Sequence, residues 1–141
     1  YWAELYRASR ESKELLAESQ QLAFSLNAWI RDVLKQPPSV KKQLGFVPVY
    51  AHLCGELGLD LADVLTAYSF TVLENQVLAA VKTIPLGQMS GQRIIWQLHH
   101  EIPEAVQAAL ALDDHEISSA LPQYAMLSMS HETQYSRLFR S

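Results

Sequence analysis

The sequence predicts an all-α fold, a compact bundle of about six to seven helices with a long N-terminal helix and a buried central helix. Three observations carry this. Apolar residues recur at spacings of three, four and seven from the start of the chain, the rhythm of one helix face. Prolines and glycines punctuate the chain at intervals that separate helices. No segment alternates apolar and polar residues between turn signals, as a half-buried strand would. With 49% hydrophobic and 18% charged residues, the chain has the balance of a packed domain rather than a disordered one. Its 141 residues fit a single helical domain, 1–141, able to bury roughly two-thirds of the surface its unfolded form exposes.

From Trp2 to Leu34 there is no Gly or Pro, and Leu15, Leu16, Leu22, Leu26, Ile30, Val33 and Leu34 line one side, which predicts one long helix. Arg7 with Glu11 and Arg10 with Glu14 stand one turn apart on the charged side and pair weakly. Pro37 and Pro38 stop the helix. A second helix is expected to start near Pro48 and to end at Gly58. Asp60 is the expected N-cap of a third, reaching about Thr83 with only Asp63, Glu74 and Lys82 as charges; so apolar a helix is expected to be central and buried nearly all round. Pro85 breaks the chain, and Gly87 is read as permitting a tight re-entry into a fourth helix running to Ile102. Pro103 suits the first turn of a fifth helix ending near Leu112, Asp113 and Asp114 suit a turn, and a sixth helix is expected from about Leu121 to Met129. Residues 131–141 form a last short helix or tail.

Charge and cysteine content narrow the partners. A net charge of −4, with the basic residues scattered, argues against nucleic acid. The single Cys54 excludes an internal disulfide and suits a reducing compartment, so the cytoplasm is expected; Cys54 itself reads as a small buried hydrophobe. The apolar stretch from Val64 to Leu73 is read as too short to span a bilayer, and no membrane is expected. Starting at Tyr1 in helical rhythm, the chain reads as a fragment lacking its natural beginning.

Chemistry is sparse. Gly87 and Gly91 suggest a phosphate loop, but Gln92 and Arg93 follow where Lys and Ser or Thr are needed, so close helix packing is the reading preferred. His99, His100 and Glu101 define the enzymatic alternative, a small helical metal-dependent hydrolase, yet HHE lacks a recognised ligand spacing and reads better as a solvated helix end. No catalytic residue, metal site or cofactor is assigned. Glu74 and Lys82 lie two turns apart on similar sides of the third helix, which leaves two meanings open: buried or half-buried ion pairing with other residues, or a polar surface for a partner or ion. At the C-terminus Tyr135, Leu138 and Phe139 share a helical face flanked by Arg137 and Arg140; Tyr and Arg dominate binding hot spots, and two readings stay open, docking of these apolar residues on the chain's own core or on another protein.

The tail HETQYSRLFRS at 131–141 resembles the characteristic C-terminus of the urease accessory protein UreF family. VKTIPLGQMSGQ at 81–92 is similar to the family's Lys-x-x-Pro-x-Gly-Gln segment, and ASRESKELLAES at 8–19 to its Arg-Glu-x-x-Glu-Leu helix. The resemblance covers essentially the whole chain, which looks like the family's C-terminal portion without its N-terminal region. It implies a helical, non-catalytic adaptor that binds UreD (also called UreH) and the GTPase UreG, regulates that GTPase, and tends to dimerise. In that role the complex delivers nickel to apo-urease. Carried over by position, Lys82, Pro85, Gly87, Gln88 and Gln92 match the central motif. His131, Glu132, Thr133, Gln134, Tyr135, Ser136, Arg137, Leu138, Phe139 and Arg140 match the tail, which is expected to bind the partner. Ser130 stands where the family pattern has Arg, removing one basic contact at that edge.

Overall fold

Where the sequence predicted one helix from Trp2 to Leu34, the chain breaks once and then widens in its last turn. The computed structural model describes residues 1–38, 40–118 and 121–135, and among these it is helical without strands. Helix α1 spans Trp2–Ala8 and α2 spans Lys13–Trp29. Between them Ser9 turns back, its hydroxyl donating to the Tyr6 carbonyl at 2.8 Å, and Ser12 takes an extended conformation as N-cap of α2. The Ser12 hydroxyl accepts from the Leu15 N–H at 3.1 Å, satisfying a donor that a continuous helix would have satisfied from its own backbone. At the other end the last turn, Ile30–Leu34, widens to a π-helix and closes on Lys35 in the left-handed conformation, two residues before the prolines.

The chain divides into two units, one made of Tyr1–Gly58 with Ser118–Ser141, the other of Leu59–Ile117. In the first, a short 3-10 turn at Lys42–Leu44 leads into helix α3, Phe46–Glu56, which packs along α2. Ala23, Ile30, Val49 and Leu53 form its core, with Leu26, Leu34 and Val40 against it. Cys54 is buried, as its apolar setting suggested. Gly45, which opens α3, sits at φ +94°, and a Cβ there would lie 2.7 Å from Ser19 Oγ and 2.9 Å from Tyr6 Cε1. Ser19 uses that space: its Oγ lies 2.9 Å from the Tyr6 hydroxyl and accepts the Phe46 N–H at 2.9 Å, joining α1, α2 and the start of α3. Helix α7, Pro122–Glu132, completes this unit against α2 and runs three residues past the expected end.

The second unit consists of α4, Leu61–Thr83; α5, Gln88–Leu98; a 3-10 turn, His99–Glu101; and α6, Ile102–Leu110. Asp60 caps α4 as expected, accepting from the Ala62 N–H at 2.8 Å. The predicted burial of this helix fails: only Val64 and Val77 are buried along it, and Phe70, Val72 and Leu78 are exposed. Low charge marked an apolar helix but could not say how much protein surrounds it. As one unbroken helix, α4 is also longer than the apolar stretch read from the sequence. By length and mean hydropathy alone it could cross a membrane, although it carries Asp63, Glu74 and Lys82 and packs against α5 and α6. The expected helix to Ile102 is interrupted by the 3-10 turn, and α6 ends at Leu110 rather than Leu112.

The glycines of the Gly-Gln segment have different roles. Gly87 has φ −66°, which any residue adopts, so tight re-entry does not require it. Gly91 is needed for proximity: an added Cβ would stand 2.7 Å from Val81 Cγ2 and 3.3 Å from Val77 Cγ1. Close helix packing, the reading preferred over a phosphate loop, is what the structure places there.

Candidate partner-binding surfaces

The end of α7 folds back onto the start of α2. The Glu132 carboxylate accepts the Lys13 backbone N–H at 2.7 Å, the His131 Nδ1–H donates to Glu14 Oε2 at 2.6 Å, and the Ser128 and Ser12 hydroxyls meet at 2.6 Å. Physically this is an anion placed at a helix N-terminus: the first N–H groups of α2 lack intrahelical partners, and its dipole favours negative charge there. The first two residues of the predicted tail are therefore half-buried and hold the fold together rather than facing outward. Thr133 and Gln134 continue the turn, the Thr133 hydroxyl donating to Ser130 O at 3.0 Å and Gln134 N–H to His131 O at 3.1 Å. Tyr135 then stands fully exposed. Ser136, Arg137, Leu138, Phe139 and Arg140 lie outside the described residues.

Beside this clasp, α2 and α7 enclose an open groove of about 940 Å³. Leu15, Leu22 and Tyr124 supply apolar walls, while Lys13, Glu14, Glu18 and Glu132 supply a charged rim. Sequence reasoning passed over the groove because its two walls are more than a hundred residues apart in the chain. Ser12 was the signal that could have located one wall, since a serine ahead of Lys-Glu-Leu-Leu marks a helix start.

In the second unit Lys82, Gln88 and Gln92 are all exposed. Glu74 is exposed too, and no described residue forms an ion pair with it or with Lys82, so both charges reach water instead of pairing in a buried setting. On α5, Met89 and Trp96 are each 70% exposed and lie two turns apart, with Arg93 between them. Sequence analysis missed this stripe because a helical Trp at such spacing reads as core.

His99, His100 and Glu101, the residues of the metal-hydrolase alternative, make up the 3-10 turn between α5 and α6. The His99 ring lies 3.8 Å from that of His100 and 5.0 Å from Trp96, and its Nδ1–H donates to the Trp96 carbonyl at 2.6 Å. Among the described residues no group of three or more His, Cys, Asp and Glu is placed to hold a metal ion. The Tyr50 phenol is pushed up by burial and then by neighbouring Cys54, while exposed Arg31 and Asp32 stabilise each other's charges across a 2.8 Å hydrogen bond, raising the first pKa and lowering the second.

Comparison with known proteins decides the family. A family model described as UreF matches residues 1–99. The chain belongs to the UreF family. Urease accessory protein UreF of Chromohalobacter salexigens is 41% identical over all of this chain, which spans 62% of that relative. Its counterpart in Nitrosococcus oceani is 42% identical over the whole chain and 66% of its own length. The Ralstonia pickettii protein is 41% identical over 96% of the chain and 63% of its own length. The chain thus spans just under two-thirds of these UreF proteins and aligns with their C-terminal portion. The UreF family match includes Lys82, Gln88 and Gln92 and stops short of the tail.

Proposed function

We propose that this chain is the helical, non-catalytic body of a urease accessory adaptor that binds UreD and the GTPase UreG in a cytoplasmic complex delivering nickel, as cargo, to apo-urease. Family membership carries the reading, since each relative is named a urease accessory protein. The geometry supports it by leaving Tyr135 and the Lys82, Gln88 and Gln92 group exposed for recognition. One exposed contact is assigned to a partner in each unit. In the first, Tyr135 projects beyond the clasp on α2 and begins the segment that binds UreD, with Leu138 and Phe139 as further apolar anchors and Arg137 and Arg140 as charge-assisted donors. In the second, Lys82, Gln88 and Gln92 contact UreG and regulate its GTP hydrolysis. The adaptor acts as a homodimer.

His131 and Glu132 are assigned here to positioning the tail rather than to touching the partner. Tyr135→Ala is expected to weaken capture of UreD in pull-down with helical content unchanged, and Lys82→Ala to weaken capture of UreG. Capture by both variants at wild-type levels would remove the support for this reading.

A further inference from the structure

We infer that one side of α4, the seam Leu61, Leu65, Val72 and Ala79, is the docking surface for an amphipathic helix supplied by the N-terminal part that the longer relatives carry. These residues, with half-buried Tyr68 and with Asn75, follow the alternating four-and-three spacing of a helix-pairing seam and stay on one side of a straight helix. Leu61 is 60% exposed and Val72 is 42% exposed. Val77 and Val81, which receive α5 at Gly91, lie on the opposite side, so that close approach does not use the seam; α6 also packs along α4, and half-buried Leu65 and Tyr68 mark where the seam is partly covered, leaving Leu61, Val72, Asn75 and Ala79 as its open positions. Asp63 and Glu74 also point away from it by the same periodicity.

The occupant follows from length and polarity. Roughly a third of each relative lies outside the match, N-terminal to it, which is room for several helices of ordinary length. Helix α4 runs about 34 Å, so a partner helix has a long track to follow. Asn75 sits within the seam, where a single polar residue fixes the register of a helix pair and would be penalised against lipid. A specific protein helix therefore fits the seam better than a bilayer does. This inference rests on family membership alone and stands whether or not the tail binds UreD.

The test compares thiol labelling of Val72→Cys in the 141-residue chain and in a chain extended at its N-terminus to the length of its relatives. The native Cys54 is buried and gives a low background, and Glu74→Cys on the other side serves as the control. The expected result is labelling at Val72→Cys slowed about tenfold or more by the extension, equally at every protein concentration, with the control unchanged. Hydrogen exchange of the α4 amides in the unsubstituted chains, which needs no cysteine variant, is expected to slow in parallel. Equal labelling and equal exchange in both chains would overturn the inference. So would protection in the shorter chain that grows with its concentration, which assigns the seam to a second copy, or protection that appears only with phosphatidylcholine vesicles, which assigns it to lipid.

Discussion

At Gly91 the absence of a side chain sets how closely α5 approaches α4, because Val81 Cγ2 already occupies the place of a Cβ. Valine is stiff at χ1 and cannot swing aside cheaply. Gly91→Ala is expected to destabilise the protein by about 1–3 kcal/mol in denaturant unfolding despite alanine's better helix propensity, and adding Val81→Ala is expected to recover part of that loss. Tyr50 supplies a pH dependence. Its pKa is raised by burial and then by Cys54, so the fold holds the phenolic proton more tightly than the unfolded chain does. That contribution is complete below the ordinary tyrosine value of about 10 and is lost as pH rises through the raised one. The unfolding midpoint is therefore expected to fall as pH rises above about 10, and Tyr50→Phe to flatten the decline. Single residues were unevenly legible in the sequence. Buried Cys54 and the Asp60 cap follow from local pattern, whereas the demand for glycine at Gly45 depends on Ser19 and Tyr6 arriving from elsewhere in the chain.

Among the elements, α2 depends most on its ends. Ser12 caps it and touches Ser128, while Glu132 and Glu14 place carboxylates at its first turn. Ser12→Ala is expected to cost about 1 kcal/mol of stability, measured by thermal or denaturant unfolding, because it removes a cap whose N–H partner has no substitute. The same change is expected to increase hydrogen exchange at the end of α7. Helix periodicity placed most elements to within a few residues, since a 3.6-residue rhythm needs only local sequence. It ran straight through Ser9–Ser12 because that break is made by hydroxyl caps and not by Gly or Pro. It overstated the burial of α4 for a different reason: apolar composition reports the tendency to be covered, while the covering elements must be present to do it.

For the molecule as a whole, the all-α class and the UreF resemblance were both legible, the first from periodicity and the second from the tail and the Lys-x-x-Pro-x-Gly-Gln segment. The division into two units was not, because helix spacing carries no record of which helices meet. Nor was the split role of the tail. His131 and Glu132 belong to the fold through bonds to residues nearly the whole chain away, whereas Tyr135, the last described residue, stands fully exposed. Removing residues 131–141 would therefore also disturb α2, and removing 136–141 is the cleaner change. The most direct measurement is co-purification with UreD and UreG of the protein with and without residues 136–141. The adaptor account predicts loss of UreD with helical content retained, and capture of both partners undiminished by the truncation would contradict it.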